Sequence, residues 1–167
     1  MARNISIPLI CAVSYEDGER FHSFIKDFKT RIDVFERYAD LLCEKTVSDK
    51  GFFESFDFFV YMPSLSPDRI NYSLKLAEYV SEKLNKPLRC GVLEKIKPTK
   101  EIKMLPKEER AEEIANSFRA KLSGNEKICI IDDVCASGAT LNEASRTLKS
   151  AGASFVCSAV AAVYLIA

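Results

Sequence analysis

Histidine occurs once in this chain, as His22, and tryptophan not at all. A Ser-His-Asp or Cys-His hydrolase would have to use His22, which falls on a helical pattern near the N-terminus and gives that chemistry little support. An excess of charge of either sign is also lacking, with 24 basic side chains balancing 24 acidic ones. No overall field draws the chain to nucleic acid or to an anionic membrane, so broad nucleic-acid binding is not expected and any basic site is local. Long apolar runs are missing too, and none approaches the roughly 20 residues that span a bilayer. The short apolar run ending near Val13 is too short for a span, carries no convincing cleavage site, and is read as a strand. Cysteine is present six times, at Cys11, Cys43, Cys90, Cys129, Cys135 and Cys157, but never as a C-x-x-C pair. A four-thiolate zinc site is therefore not expected. Scattered through apolar segments, these residues read as reduced, buried thiols of a cytoplasmic protein.

What the chain does have is apolar bulk. At 167 residues and 47% hydrophobic content it is expected to form one domain, 1–167, with a substantial core. Residues 7–13 read as a buried strand. Phe21, Phe24, Ile25 and Phe28 recur at helical spacing, and Ile32, Phe35, Ala39 and Leu42 continue the pattern after a break near Thr30. Residues 57–62 form a second strand stopped by Pro63. Residues 68–85 read as a helix through Ile70, Leu74, Ala77, Tyr79, Val80 and Leu84, ended by Pro87. A third strand is expected over 88–93, and a helix over 107–121 with Gly124 placed to end it. Ile128–Ile131 reads as a central parallel strand, followed by a helix from about Thr140 to Ala151 and a last strand over 154–163. This alternation predicts an α/β fold with a mostly parallel central sheet flanked by helices.

The stretch with the most chemistry is Asp132-Asp133-Val134-Cys135-Ala136-Ser137-Gly138-Ala139-Thr140. It leaves a strand at the edge where open α/β sheets bind ligands. Its small side chains let a ligand approach the backbone, and Gly138 can take a positive φ. Thr140-Leu141-Asn142-Glu143 has the form of a capping box, and the helix it opens directs its first amides and its dipole at the loop, which favours phosphate. Asp132 and Asp133 stand just before that cradle. Carboxylates repel phosphate but accept strongly from sugar hydroxyls. A sugar phosphate satisfies both halves. A strand end followed by an ordinary turn is the plainer alternative.

The segment ICIIDDVCASGAT resembles the phosphoribosyl-diphosphate (PRPP) signature of type I phosphoribosyltransferases, with Ala136 and Ser137 where two threonines are usual. The likeness extends to YEDGERFHSFIKDFKTR at 15–31, MPSLSPDRINYSLKLAEYV at 62–80 and KPTKEIKMLPKEERAEEIANSFRA at 97–120. In order and spacing these are similar to the ComF-type, amidophosphoribosyltransferase-like proteins linked to DNA uptake. ComF-type proteins commonly begin with a four-cysteine zinc-binding segment that has no counterpart here. Ile102 and Met104 stand where the family usually has glutamine and glycine, and its RGFNQ segment is reduced to Arg69-Ile70-Asn71-Tyr72.

The resemblance implies a type I phosphoribosyltransferase-like fold with a small mobile hood near 94–107. Between Lys95 and Lys107, the five lysines Lys95, Lys97, Lys100, Lys103 and Lys107 face one glutamate, Glu101. The implied activity is transfer of ribose 5-phosphate between PRPP and a nitrogen nucleophile, a nucleobase or an amide or ammonia. The alternative is a catalytically weak or inactive PRPP- or nucleotide-binding module serving DNA uptake or regulation. The implied catalytic residues are Asp132, Asp133 and Arg110. The 5-phosphate would lie on Cys135, Ala136, Ser137, Gly138, Ala139 and Thr140. The pyrophosphate would meet Ser64, Leu65, Ser66, Arg69, Lys97 and Lys100. Mg²⁺ is the implied cofactor, reached by Asp132 and Asp133 through water or ribose hydroxyls. Tyr15, Lys29 and Arg31 match family positions without an assigned chemistry. PRPP or a nucleotide 5′-phosphate is the expected partner, and a homodimer stays open.

Overall fold

The computed structural model describes residues 5–65, 69–98 and 107–165. Its centre is strand β5, Lys127–Cys135, which carries the run Ile128–Ile131 with every residue at 0% exposure. That burial follows from position. With β1 as Leu9–Tyr15, β2 as Phe58–Tyr61 and β6 as Phe155–Tyr164, the main sheet has the order β1-β6-β5-β2, so β5 has a neighbour on each side. All three pairings are parallel. Layers of side chains cover both faces, which is why the strand reads as a continuous apolar run rather than an alternating one.

The period of two along the strands sorts the core into two layers. On one face Phe59, Cys129, Ile131, Cys157 and Ala159 pack against helices α1 (Gly18–Thr30), α2 (Ile32–Ser48) and α4 (Tyr72–Leu84). Those helices contribute Phe21, Phe24 and Phe28, then Phe35, Ala39 and Leu42, then Leu76, Ala77 and Val80. On the other face Phe58, Val60, Ile128, Ile130, Val156 and Val160 meet Leu141, Ala144 and Leu148. These three belong to the helix Ala139–Ser150, which is α6 once two shorter helices are counted: α3 over Lys50–Glu54 and α5 over Lys107–Ile114. The break expected near Thr30 is at Arg31, whose extended backbone (φ −121°) ends α1 and begins α2. Asp17 caps α1 by accepting from the Arg20 amide at 2.9 Å, and Asn71 caps α4 by accepting from the Leu74 amide at 3.0 Å.

Several expectations need correction. Residues 88–93 do not form a third strand of the main sheet. Leu88 makes one isolated bridge to Phe59, and Gly91 (φ 77°) turns the chain away. Leu93–Lys95 is strand β3 of a separate antiparallel pair with β4, Phe118–Ala120. The helix expected over 107–121 ends at Ile114, because Phe118 enters that pair and buries itself on the α6 side of the sheet. Gly124 therefore lies in a turn before β5 (φ 106°) and ends no helix. Helix α4 starts at Tyr72, so Ile70 lies outside it and is 59% exposed. Ile32 is likewise turned to solvent, at 70%. Of the six cysteines, Cys90 is exposed and Cys11 half-buried, and all are free thiols. No described helix is long and apolar enough to cross a membrane.

Candidate sugar-phosphate site

Strand β5 continues past its apolar run, so the two acids are inside the strand. Asp132 pairs with Val160 of β6, and Cys135 with Val163. The two carboxylates have different surroundings. Asp132 is only 8% exposed. Its Oδ1 accepts from the Ser73 hydroxyl at 2.7 Å and from the Asp133 amide at 2.9 Å. Burial, reinforced by the neighbouring Asp133 charge, pushes Asp132 well above the usual carboxylate range, and the Ser73 donation only partly opposes this.

Asp133 is half-buried. Its Oδ1 accepts from the Val134 amide at 2.9 Å. Its Oδ2 forms an ion pair with Lys29 Nζ at 2.6 Å, with the lysine side chain 35% and the aspartate 14% exposed. Lys29 is held by α4, because the Tyr72 hydroxyl donates to the Lys29 carbonyl and the ammonium lies 5.5 Å from the Tyr72 ring centroid. Adjacent residues of the first turn of α4 thus serve both acids, Tyr72 through Lys29 and Ser73 through Asp132. A cleft of about 180 Å³ opens beside them, lined by Lys29, Thr30, Arg31, Tyr72 and Lys75 among others.

Beyond the acids the chain turns through Ala136 and Ser137 into α6. Gly138 is the N-cap residue with φ 78°, a left-handed conformation that favours glycine. The expected capping box does not form. Thr140 is already inside the helix, no side chain caps it, and the first helical bond runs from the Asn142 amide to the Gly138 carbonyl at 2.9 Å. Glu143 turns instead to the Asn116 amide at 2.7 Å and to Arg146. The first turn of α6 therefore keeps its amides for another acceptor, apart from a long contact of the Ala139 amide with Ser137 Oγ at 3.4 Å. Ala136 is exposed and Ser137, Ala139 and Thr140 half-buried. Cys135 differs from its neighbours: it points into the core, and burial pushes its thiol up to about 12.

The loop after β2 leaves the sheet beside the acids, since the Met62 amide donates to the Ile131 carbonyl at 2.9 Å. Asn71 Nδ2 donates back to the Met62 carbonyl at 3.1 Å. Ser64 and Leu65 are thus carried to the same sheet edge as Asp132, with Leu65 and Arg69 exposed. Lys97 follows β3 in the small sheet and is exposed; no hydrogen bond or ion pair described here joins it to either acid. Ser66 and Lys100, with residues 99–106 of the expected hood, including Ile102 and Met104, lie outside the described residues, as does the side chain of Arg110. Ser73 and Lys29 are the site residues that pattern reading passed over. Lys29 fell on a family-like position, whereas nothing in the helical pattern of α4 marks Ser73.

The acids do not fit a directly held Mg²⁺. Asp132 is turned inward onto Ser73 and the backbone, and Asp133 is already closed by an ammonium. Among the described residues no group of three or more His, Cys, Asp or Glu side chains is gathered as a metal site.

No family model matches the chain. It is 30% identical over 81 residues to competence protein F of Haemophilus influenzae, covering 46% of this chain and 35% of that protein. The match thus spans about a third of that relative's length. Among solved structures, it is similar to a purine phosphoribosyltransferase from Pyrococcus horikoshii, with a TM-score of 0.49 and 20% identity, over 77% of this chain and 72% of the other. It is similar at a TM-score of 0.44 and 20% identity to Leishmania donovani UMP synthase, over 83% of this chain and 23% of the other. The α/β architecture itself rests on the strand order and register, and the chain's similarity to a competence protein of this kind rests on the sequence match.

Proposed function

We propose that this chain is a phosphoribosyltransferase-like protein that binds a ribose 5-phosphate unit, as PRPP or a nucleotide, at the β5–α6 connection. The observation that carries the reading is the juxtaposition in one connection of the Asp132–Asp133 pair and the uncapped first turn of α6, opened by the left-handed Gly138. The amides and helix dipole suit a dianionic phosphate, and Asp133 suits a ribose hydroxyl. In a transferase, the same arrangement would hold the sugar while a nitrogen nucleophile replaces diphosphate at the anomeric carbon. The chain's part is to position the reactants and neutralise the departing charge. The start of the loop after β2, whose Met62 amide donates to the Ile131 carbonyl, supports a diphosphate subsite at Ser64, Leu65 and Arg69. The Cys135 side chain is buried in the core, and no protein nucleophile is required.

A specific observation favours a second reading, a binding module without transfer, serving DNA uptake or regulation. The Lys29–Asp133 ion pair already occupies the acid that would take the ribose hydroxyl. The two readings separate by calorimetry with PRPP followed by a diphosphate-release assay across nucleobases, orotate and glutamine. Binding with release supports the transferase. Binding without release supports the module, and no binding of PRPP or of nucleoside 5′-monophosphates overturns both.

A further inference from the structure

We propose that Lys29 is the resident cation of the acid pair and takes the place that a divalent ion would hold beside Asp133. The inference deepens the ribose 5-phosphate reading and, for its ligand arm, rests on it.

The geometry is specific. Lys29, which lines the cleft, has its Nζ 2.6 Å from Asp133 Oδ2, and the other oxygen of that carboxylate accepts from the Val134 amide. A divalent ion binding Asp133 directly would have to displace this ammonium or sit against it, and like charges at such separations repel strongly. The lysine is also not free to swing away without loss. It is the penultimate residue of α1, where the chain breaks at Arg31. Its carbonyl accepts the Tyr72 hydroxyl, and its ammonium faces the Tyr72 ring. An ammonium has three donors. One meets Asp133 and the half-exposed head leaves others for the cleft, so a hydroxyl that donates to Asp133 can at the same time accept from Lys29. The pair thus offers a sugar hydroxyl a donor and an acceptor side by side. Lys75 lines the same cleft, and like charge there further discourages a free cation.

Two measurements on the full chain test this. In the first, Mn²⁺ is titrated into ligand-free protein and followed by electron paramagnetic resonance. The wild type should show no saturable site, Lys29→Met should gain one, and adding Asp133→Asn should remove it. A saturable wild-type site that Asp133→Asn abolishes overturns the proposal, as does a well-folded Lys29→Met protein that gains no site. In the second, ribose 5-phosphate and PRPP are titrated calorimetrically in EDTA and in Mg²⁺. Wild-type affinity should change less than about twofold between the two buffers. Lys29→Met should lose about tenfold in EDTA, the size expected for one charge-assisted hydrogen bond, and Lys29→Arg should retain most of it. Ligand binding by the wild type that appears only with Mg²⁺ overturns the proposal. If neither sugar phosphate binds in either buffer while Mn²⁺ behaves as expected, the resident-cation assignment stands and the ribose 5-phosphate reading falls. Circular dichroism melts establish that each variant is folded, and Lys29→Arg carries the ligand comparison if Lys29→Met is not.

Discussion

Ser73 and Asp132, 59 residues apart in sequence, meet at 2.7 Å, the hydroxyl of the first turn of α4 donating to the buried carboxyl of β5. The same hydroxyl lies 3.3 Å from the Asp133 amide as acceptor, and that amide also donates to Asp132 Oδ1. Ser73, Asp132 and the backbone of Asp133 form a closed knot. Its effect is to fix the strand at the point where Asp133 must project toward Lys29. The first acid orients the strand, and the second is held by Lys29.

The two acids should therefore respond differently to amide substitution. Asp133→Asn should weaken ribose 5-phosphate or PRPP binding at least tenfold, since charge-assisted hydrogen bonds contribute about 1.5–3 kcal/mol, while leaving the melting curve close to wild type. Asp132→Asn should affect binding less, because an amide oxygen can accept from Ser73 and from the Asp133 amide. Equal losses in calorimetry would show that Asp132 touches the ligand itself.

Stability should depend on pH through Asp132 in a definite direction. Its folded value is raised, chiefly by burial. The neutral acid therefore supports the fold below the unfolded value of about 3.9, and that support drains away as pH rises toward and through the raised value. Asp132→Asn removes the buried charge, so its stability relative to wild type should improve between acid and pH 8 in urea unfolding. A relative stability that falls over that range contradicts the assignment.

Glu143 should show the opposite sign. Arg146, above all, and the Asn116 amide hold its carboxyl below the usual range. A lowered folded value adds stability above the unfolded value, about 4.3, that is lost as pH falls through the folded one. Glu143→Gln should cost about 1–3 kcal/mol at pH 7, with the gap to wild type closing in acid. Because this carboxylate joins α6 to the chain just after α5, amide exchange near Asn116 should rise in the variant at pH 7.

Gly138→Ala tests the phosphate cradle. A side chain at φ 78° is strained by about 1–2 kcal/mol, and relief of that strain would rotate the first amides of α6. The expected result is a lower melting temperature together with weaker binding of inorganic phosphate and of ribose 5-phosphate. Ser137→Ala, which keeps the backbone, should leave stability unchanged. Unaltered phosphate affinity in Gly138→Ala would remove the cradle from the site.

Local pattern was sufficient for the parallel core. Ile128–Ile131 is apolar at every position because a central strand is covered on both faces, and Phe21, Phe24 and Phe28 declare the buried side of α1 by spacing alone. The β5–α6 connection was legible for a similar reason, since small residues and a glycine at a strand-to-helix turn are a local requirement. Local pattern misled where a distant partner decided the outcome. Phe118 lies within a plausible helix but is drawn into a strand by Leu93–Lys95 and by the apolar side of α6. Thr140 and Glu143 match a capping box, yet Arg146 and the Asn116 amide are stronger partners for the carboxylate. The sequence by itself determined the order of the elements and the place of the acid pair, because both follow from periodicity and turn chemistry over a few residues. Only the tertiary structure decided that Asp132 is buried on Ser73 and Asp133 is closed by Lys29, because those charges and hydroxyls come together through the packing of α1 and α4 on the sheet, a long-range relation that no local spacing encodes.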